Sequence, residues 1–216
     1  MKLIILDFDG TLADTRGLIV MTMQQTIREL GLEPRTDAQC ASMIGLPLRQ
    51  AFTDLIPMTD AMGDLCVDTY RRIFNENNAV YTVPAFPNVL ETLRLLSQKG
   101  YTLTIASSRI HRSLMELITS MGLQNVISYV LGADDVLQAK PNPEPVLKTL
   151  EKFGCSPDEA LVVGDTWYDI EMGRRAGVRT CGVTYGNGTR EELMNAGADF
   201  LIDDFGNLMS LIARIS

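Results

Sequence analysis

Histidine and tryptophan each occur only once in these 216 residues, as His111 and Trp167, and cysteine four times, at positions 40, 66, 155 and 181. Widely spaced cysteines unaccompanied by histidine form neither a zinc site nor a disulfide framework, so the thiols are expected to be reduced and buried. Basic residues are also in short supply, 19 Lys and Arg against 27 Asp and Glu, for a formal charge of −8. Nucleic acid and anionic membranes both reward a basic patch, and no stretch of this chain carries one, which points to small partners. No apolar run approaches membrane length, and only four apolar residues lead up to Asp7, too few for the hydrophobic region of a signal peptide. The expected location is the cytoplasm.

The rest is an ordinary globular composition, 46% apolar and 21% charged, with no signature of disorder. The length admits one α/β domain with an insertion, or two small domains. Short β-favouring runs recur at Leu3 to Leu6, Leu103 to Ala106, Val126 to Leu131, Ala160 to Val163, Val178 to Val183 and Phe200 to Ile202, with helical stretches between them. That alternation predicts a parallel sheet covered by helices. The first two runs are nearly a hundred residues apart, far beyond one crossover helix, and the gap has a different character. Val20, Met23, Ile27 and Leu30 mark one helical face there, and Met62, Leu65, Cys66, Tyr70, Ile73 and Phe74 another, as in the core of a small bundle. Asp14-Thr15 and the segment from Asn77 to Pro87 are expected to be the hinge strands. The expected division is a discontinuous α/β domain, residues 1–14 and 81–216, with a helical insert at 15–80.

The opening strand runs into Asp7-Phe8-Asp9-Gly10. In an open parallel sheet, strand ends face the ligand crevice, so a carboxylate there is well placed for catalysis. Asp7 and Asp9 share one face of a regular strand, and neighbouring carboxylates repel unless a cation or a shared proton intervenes, which fits Mg²⁺ and acid/base work. An Asx-type turn in which Asp9 only accepts backbone N–H groups fits the same residues. An EF-hand loop does not, because Leu12 and Leu18 stand where its glycine and glutamate belong. Three further strand ends carry polar groups. Ser107-Ser108-Arg109 follows the second run, where hydroxyls near a helix N-terminus can hold phosphate or simply cap the helix. Lys140, stiffened by Pro141 and Pro143, can serve as a fixed point charge or be a solvated loop residue. Asp165 and Asp169 flank a helix start, either as one acidic face or as ordinary caps.

Taken together, Asp7-Phe8-Asp9-Gly10-Thr11-Leu12, Ser107, Lys140 and Gly164-Asp165 through Asp169 resemble the four motifs of the haloacid dehalogenase superfamily, specifically its phosphatases with a helical (type C1) cap, and among them phosphoglycolate phosphatase-like members. The similarity spans nearly the whole chain, including Phe86-Pro87-Asn88-Val89 and Ala176-Gly177-Val178. It implies a Rossmann-like core with an inserted α-helical cap. It also implies a Mg²⁺-dependent phosphatase of a small phosphorylated metabolite, in which Asp7 is the nucleophile and Asp9 the acid and then base. The metal would be held by Asp7, the Asp9 carbonyl and Asp165, with Asp169 acting through a water; Ser107, Ser108 and Lys140 would bind the phosphoryl group. Ile44-Gly45-Leu46-Pro47-Leu48-Arg49 resembles the cap loop that reaches toward substrate, which makes Arg49, and Arg109 beside Ser108, candidates for specificity; either also suits a solvated helix face.

Departures from sibling activities narrow the implied reaction. A dehalogenase lacks the second acid that Asp9 supplies, and a phosphonatase needs a cap lysine where residues 15–80 contain none. The sugar phosphomutase relatives carry a histidine in the stretch occupied here by Arg16 to Val20. Phosphoglycolate leads the expected substrates, followed by pyrophosphate, nucleoside monophosphates and sugar phosphates; a phosphomutase and a non-catalytic phosphometabolite sensor are the alternatives.

Overall fold

A computed structural model describes residues 1–215. Six strands form one parallel sheet: β1 (Leu3–Leu6), β2 (Thr102–Ala106), β3 (Tyr129–Leu131), β4 (Ala160–Gly164), β5 (Arg179–Val183) and β6 (Phe200–Ile202). Their order is β3-β2-β1-β4-β5-β6. The chain winds outward in both directions from β1, so the crossovers diverge between β1 and β4 and leave a crevice beyond their C-terminal ends. Leu6 pairs with both Ile105 and Val163, a register that brings the ends of β1, β2 and β4 to one level.

Alternation along the buried strands builds two core layers. Ile4 and Leu6 join Leu103, Ile105, Leu161 and Val163 against helices α5 (Val89–Gln98), α6 (His111–Ser120) and α10 (Asn207–Ile215). Leu3, Ile5, Ala160 and Val162 face the other way, against α7 (Glu144–Phe153) and α8 (Trp167–Arg175). Because Ile4 and Leu6 are fully buried, truncating either to alanine is expected to cost about 2–5 kcal/mol. A further short helix, α9 (Arg190–Asn195), lies between β5 and β6.

Between β1 and α5 stands the helical cap: α1 (Arg16–Glu29), α2 (Asp37–Ala41), α3 (Leu48–Leu55) and α4 (Asp60–Asn78). Its core is separate and includes Leu18, Met23, Ile27, Phe52, Cys66, Tyr70 and Phe74. Thr36 and Thr59 start α2 and α4 by accepting the N–H groups of Gln39 and Met62. Asn77 and Asn78 close α4 instead of forming a hinge strand, and the Asn77 amide is taken up by Thr22 Oγ1 and Gln25 Oε1 at 3.0 and 2.7 Å. The connecting segments pair with each other through an Ala13–Ala85 antiparallel bridge, Asp14 N–H donating to the Pro84 carbonyl and Phe86 N–H to that of Leu12.

Three further sequence expectations need adjustment. Val126 and Ile127 turn back onto the Leu123 carbonyl, so β3 begins only at Tyr129. Leu65 lies on the outer side of α4, 46% exposed, and Cys155 is only partly buried, although all four thiols are free.

Candidate active site

The acids meet where the sheet order reverses. Carboxylate oxygens of Asp7, Asp165 and Asp169 lie within 4.8 Å of one another, and all three residues are buried. Asp7 follows β1 and donates its N–H to the Val163 carbonyl at 2.8 Å, which ties it to the end of β4. Asp165 follows Gly164, the last residue of β4. Asp169 stands in the first turn of α8 and one oxygen closes a capping box, accepting from Thr166 N–H at 3.0 Å and Thr166 Oγ1 at 2.7 Å. Capping is thus real, but it uses only one oxygen.

The other oxygen of Asp169 accepts from Lys140 Nζ at 2.6 Å, and the same ammonium donates to Asp7 at 2.5 Å. Lys140 is 4% exposed. Burial opposes its charge, but Asp169 and Asp7 outweigh burial and hold the ammonium above its ordinary pKa. One cation against three acids leaves negative charge in excess. Burial, then repulsion from Asp169 and Asp165, pushes the Asp7 carboxyl well up despite the pull of Lys140. Burial and Asp169 likewise push Asp165 to about 7, against the hydrogen bonds from Asn187 and Thr11. A compact set of buried oxygen donors with surplus negative charge fits a hard divalent cation.

Residues given no role by the sequence shape this cradle. Thr11 Oγ1 donates to one oxygen of Asp165 at 3.1 Å; Asn187 donates to the other from its backbone at 2.7 Å and its side-chain amide at 3.1 Å. The Asn187 amide also reaches the Asp9 carbonyl, at 3.5 Å. Gly186-Asn187-Gly188 follows β5, another strand end on the same edge of the sheet, and that position was the available signal. A Cβ on Gly186 would stand 2.3 Å from Asp165 Cβ and 2.5 Å from the Gly10 carbonyl, so only glycine lets the loop approach. Gly10 turns at φ +94°, left-handed, against Asp165 and Asn187.

Asp9 points away from the cluster and pairs with Arg109, which donates from Nε at 3.1 Å and Nη2 at 2.6 Å. Arg109 also reaches Ser113 Oγ at 3.1 Å and lies 4.7 Å over the ring of Phe74 from the cap. Ser107, after β2, accepts from Arg109 N–H at 3.2 Å. Ser108 donates to the Gly45 carbonyl of the cap loop at 2.7 Å, and Gly45, at φ +103°, rests against Thr166 and Tyr168. The cap is therefore latched over the acids. Between them lies a cavity of about 310 Å³ whose walls include Asp7, Asp9, Ser107, Ser108 and Arg109.

The structure thus gathers Asp7, Lys140, Asp165 and Asp169 into one cluster and sets Asp9, Ser107, Ser108 and Arg109 along the adjoining cavity. Arg49 is the exception. Its guanidinium is bound by Asp60 and Asp64, each at 2.8 Å, on the outer surface of the cap, and it does not line the cavity. Those partners, on α4, hold it away from the acids.

Comparison with known proteins follows the same lines. The family model for haloacid dehalogenase-like hydrolases matches residues 4–183. A phosphoglycolate phosphatase of Aquifex aeolicus is 35% identical over 86% of this chain and 86% of its own. The pyrophosphatase PpaX of Anoxybacillus flavithermus is 32% identical over 99% of this chain and 97% of its own. The crystal structure of a protein described as a predicted phosphoglycolate phosphatase from Haemophilus somnus superposes with a TM-score of 0.89 at 25% identity, covering 98% of both chains. Among the described residues, no helix is long and apolar enough to cross a membrane.

Proposed function

Since this chain belongs to the haloacid dehalogenase-like hydrolases and is a phosphatase, we propose that it hydrolyses a small phosphorylated metabolite with Mg²⁺, the phosphoryl group passing through Asp7. The observation that carries this reading is the ion pair of Lys140 with Asp7 at 2.5 Å, inside a buried group of three acids. A carboxylate beside a fixed ammonium can meet an anionic phosphate that it would otherwise repel.

In the first step an oxygen of Asp7 bonds to phosphorus and the ester P–O bond breaks; Asp9 gives its proton to the departing oxygen. In the second, Asp9 takes a proton from water as the water oxygen bonds to phosphorus. The Asp7–phosphorus bond then breaks, regenerating the carboxylate and inorganic phosphate. Lys140, Ser107 and Ser108 hold the transferring phosphoryl oxygens, Ser108 by turning its hydroxyl from the Gly45 carbonyl. The Asp7 carboxylate, the Asp9 carbonyl, Asp165 and Asp169 would hold Mg²⁺, which would supply charge neutralisation there. Thr11 and Asn187 orient Asp165 for that role.

The test is phosphate release with Mg²⁺ across phosphoglycolate, pyrophosphate, nucleoside monophosphates and sugar phosphates, with Asp7→Asn as the blank. Release from at least one substrate, abolished in the blank, is expected. Equal release by parent and blank, or none from either, would sink the proposal.

A further inference from the structure

We propose that the preferred substrate is a phosphomonoester whose leaving group carries an apolar, ring-sized body, such as an arylalkyl alcohol, in place of the small anionic leaving groups of phosphoglycolate or pyrophosphate. The inference deepens the phosphatase reading above and rests on it. Its basis is the lining of the cavity next to Asp7 and Asp9. The cap contributes Ile19, Met23, Ile44, Leu46 and Leu48. One wall is aromatic: Tyr70 stacks on Phe74 at 5.8 Å between ring centres, and Phe52 of the cap core backs Tyr70 edge-on at 6.0 Å.

The charges at hand decide what such a wall accepts. A carboxylate or second phosphate attached next to the ester oxygen would lie inside the cavity, close to phosphorus. Among the described residues, Arg109 is the one cationic side chain within the buried part of the lining, and it is already bound to Asp9, Ser113 and the face of Phe74. Lys140 is enclosed between Asp7 and Asp169. The two remaining arginines of the lining, Arg71 and Arg112, are exposed at its mouth, and Arg112 pairs with Glu116 at 3.1 Å. Three other cap arginines are committed elsewhere, Arg35 to Glu33, Arg49 to Asp60 and Asp64, and Arg72 to Glu29 and Glu76. In the buried part of the cavity a second anion would thus find no free counter-charge, only Arg71, exposed on α4, being unpaired among the described cations of the lining; that burial is costly, whereas an apolar ring gains from every contact with the wall. The Tyr70 hydroxyl, without a hydrogen-bond partner among the described residues, leaves room for one polar atom on that ring. At about 310 Å³, the space also exceeds what a two-carbon leaving group fills.

The experiment compares kcat/KM of the Mg²⁺-loaded protein for benzyl phosphate, ethyl phosphate, phosphoglycolate and pyrophosphate. Benzyl and ethyl phosphate both release alkoxides, so their ratio reads the apolar body. Benzyl phosphate is expected to exceed ethyl phosphate by roughly tenfold or more and to lead the panel. Ala51→Phe, which adds a ring to the α3 side of the lining, is expected to shrink that ratio. If ethyl matches benzyl, or phosphoglycolate or pyrophosphate leads, the inference falls and the phosphatase reading stands. Silence on all four overturns the inference, and silence on nucleoside monophosphates and sugar phosphates as well would overturn the phosphatase reading with it.

Discussion

Arg109 grips both carboxylate oxygens of Asp9, at 3.1 and 2.6 Å, across 100 residues of chain. The same guanidinium lies over Phe74, so one side chain ties the end of β1 to the cap. In the proposed mechanism Asp9 can pass a proton only from an oxygen that Arg109 has released, which makes loosening of this pair part of each turnover. Arg109→Met strips a largely buried carboxylate of its partner and is expected to destabilise the protein by about 3 kcal/mol in urea denaturation. Arg109→Lys should recover only part, because one ammonium cannot reproduce the two-pronged bond.

Lys140 is the sole cation among the described residues in contact with the acid cluster. Lys140→Met is expected to lower kcat by roughly 10²–10³-fold, the range for losing one preorganised charge at a reacting centre. The metal-free variant should also melt below the parent, and added Mg²⁺ should raise its melting temperature by more, since the ion then meets uncompensated charge.

An acid whose folded pKa lies above its unfolded value binds more protons when folded, so its contribution to stability falls as pH climbs between the two. For Asp165, moved from 3.8 to about 7 by burial and Asp169, that window spans about pH 4 to 7, with the loss complete above it. Without metal, Asp165→Asn should therefore gain melting temperature relative to the parent on going from pH 5 to pH 8. Mg²⁺ should remove most of that difference. A gap that is flat with pH in metal-free buffer contradicts the burial of this charge.

Gly186→Ala pushes a methyl group into Asp165 and the Gly10 carbonyl. The loop must retreat, taking the Asn187 N–H from Asp165. The expected effect is a rise of roughly 10–100-fold in the Mg²⁺ concentration giving half-maximal activity, as for loss of an outer-shell support.

The parallel sheet and the acids at its strand ends were legible in the sequence because an apolar run buried on both faces must end abruptly, and Asp7, Ser107 and Asp165 stand at those ends. Alternation along β1 also fixes which residues face which helix layer. What the sequence concealed depends on partners remote in the chain. Arg49 looked free until Asp60 and Asp64 arrived on a neighbouring helix. Asn187, in Gly-Asn-Gly, reads as an ordinary turn, and only the approach of β5 to β4 brings it against Asp165. The pairing of Arg109 with Asp9 needs β1 and β2 in register, which no local pattern encodes.

The central claim is that Asp7 carries the phosphoryl group. Acid quenching during steady-state turnover with Mg²⁺, followed by borohydride reduction and peptide mass spectrometry, tests it directly. The account predicts conversion of Asp7, and no other residue, to homoserine, absent without substrate and absent in Asp7→Asn. Reduction at a different acid, or full turnover with no modified residue and undiminished activity in Asp7→Asn, would contradict it.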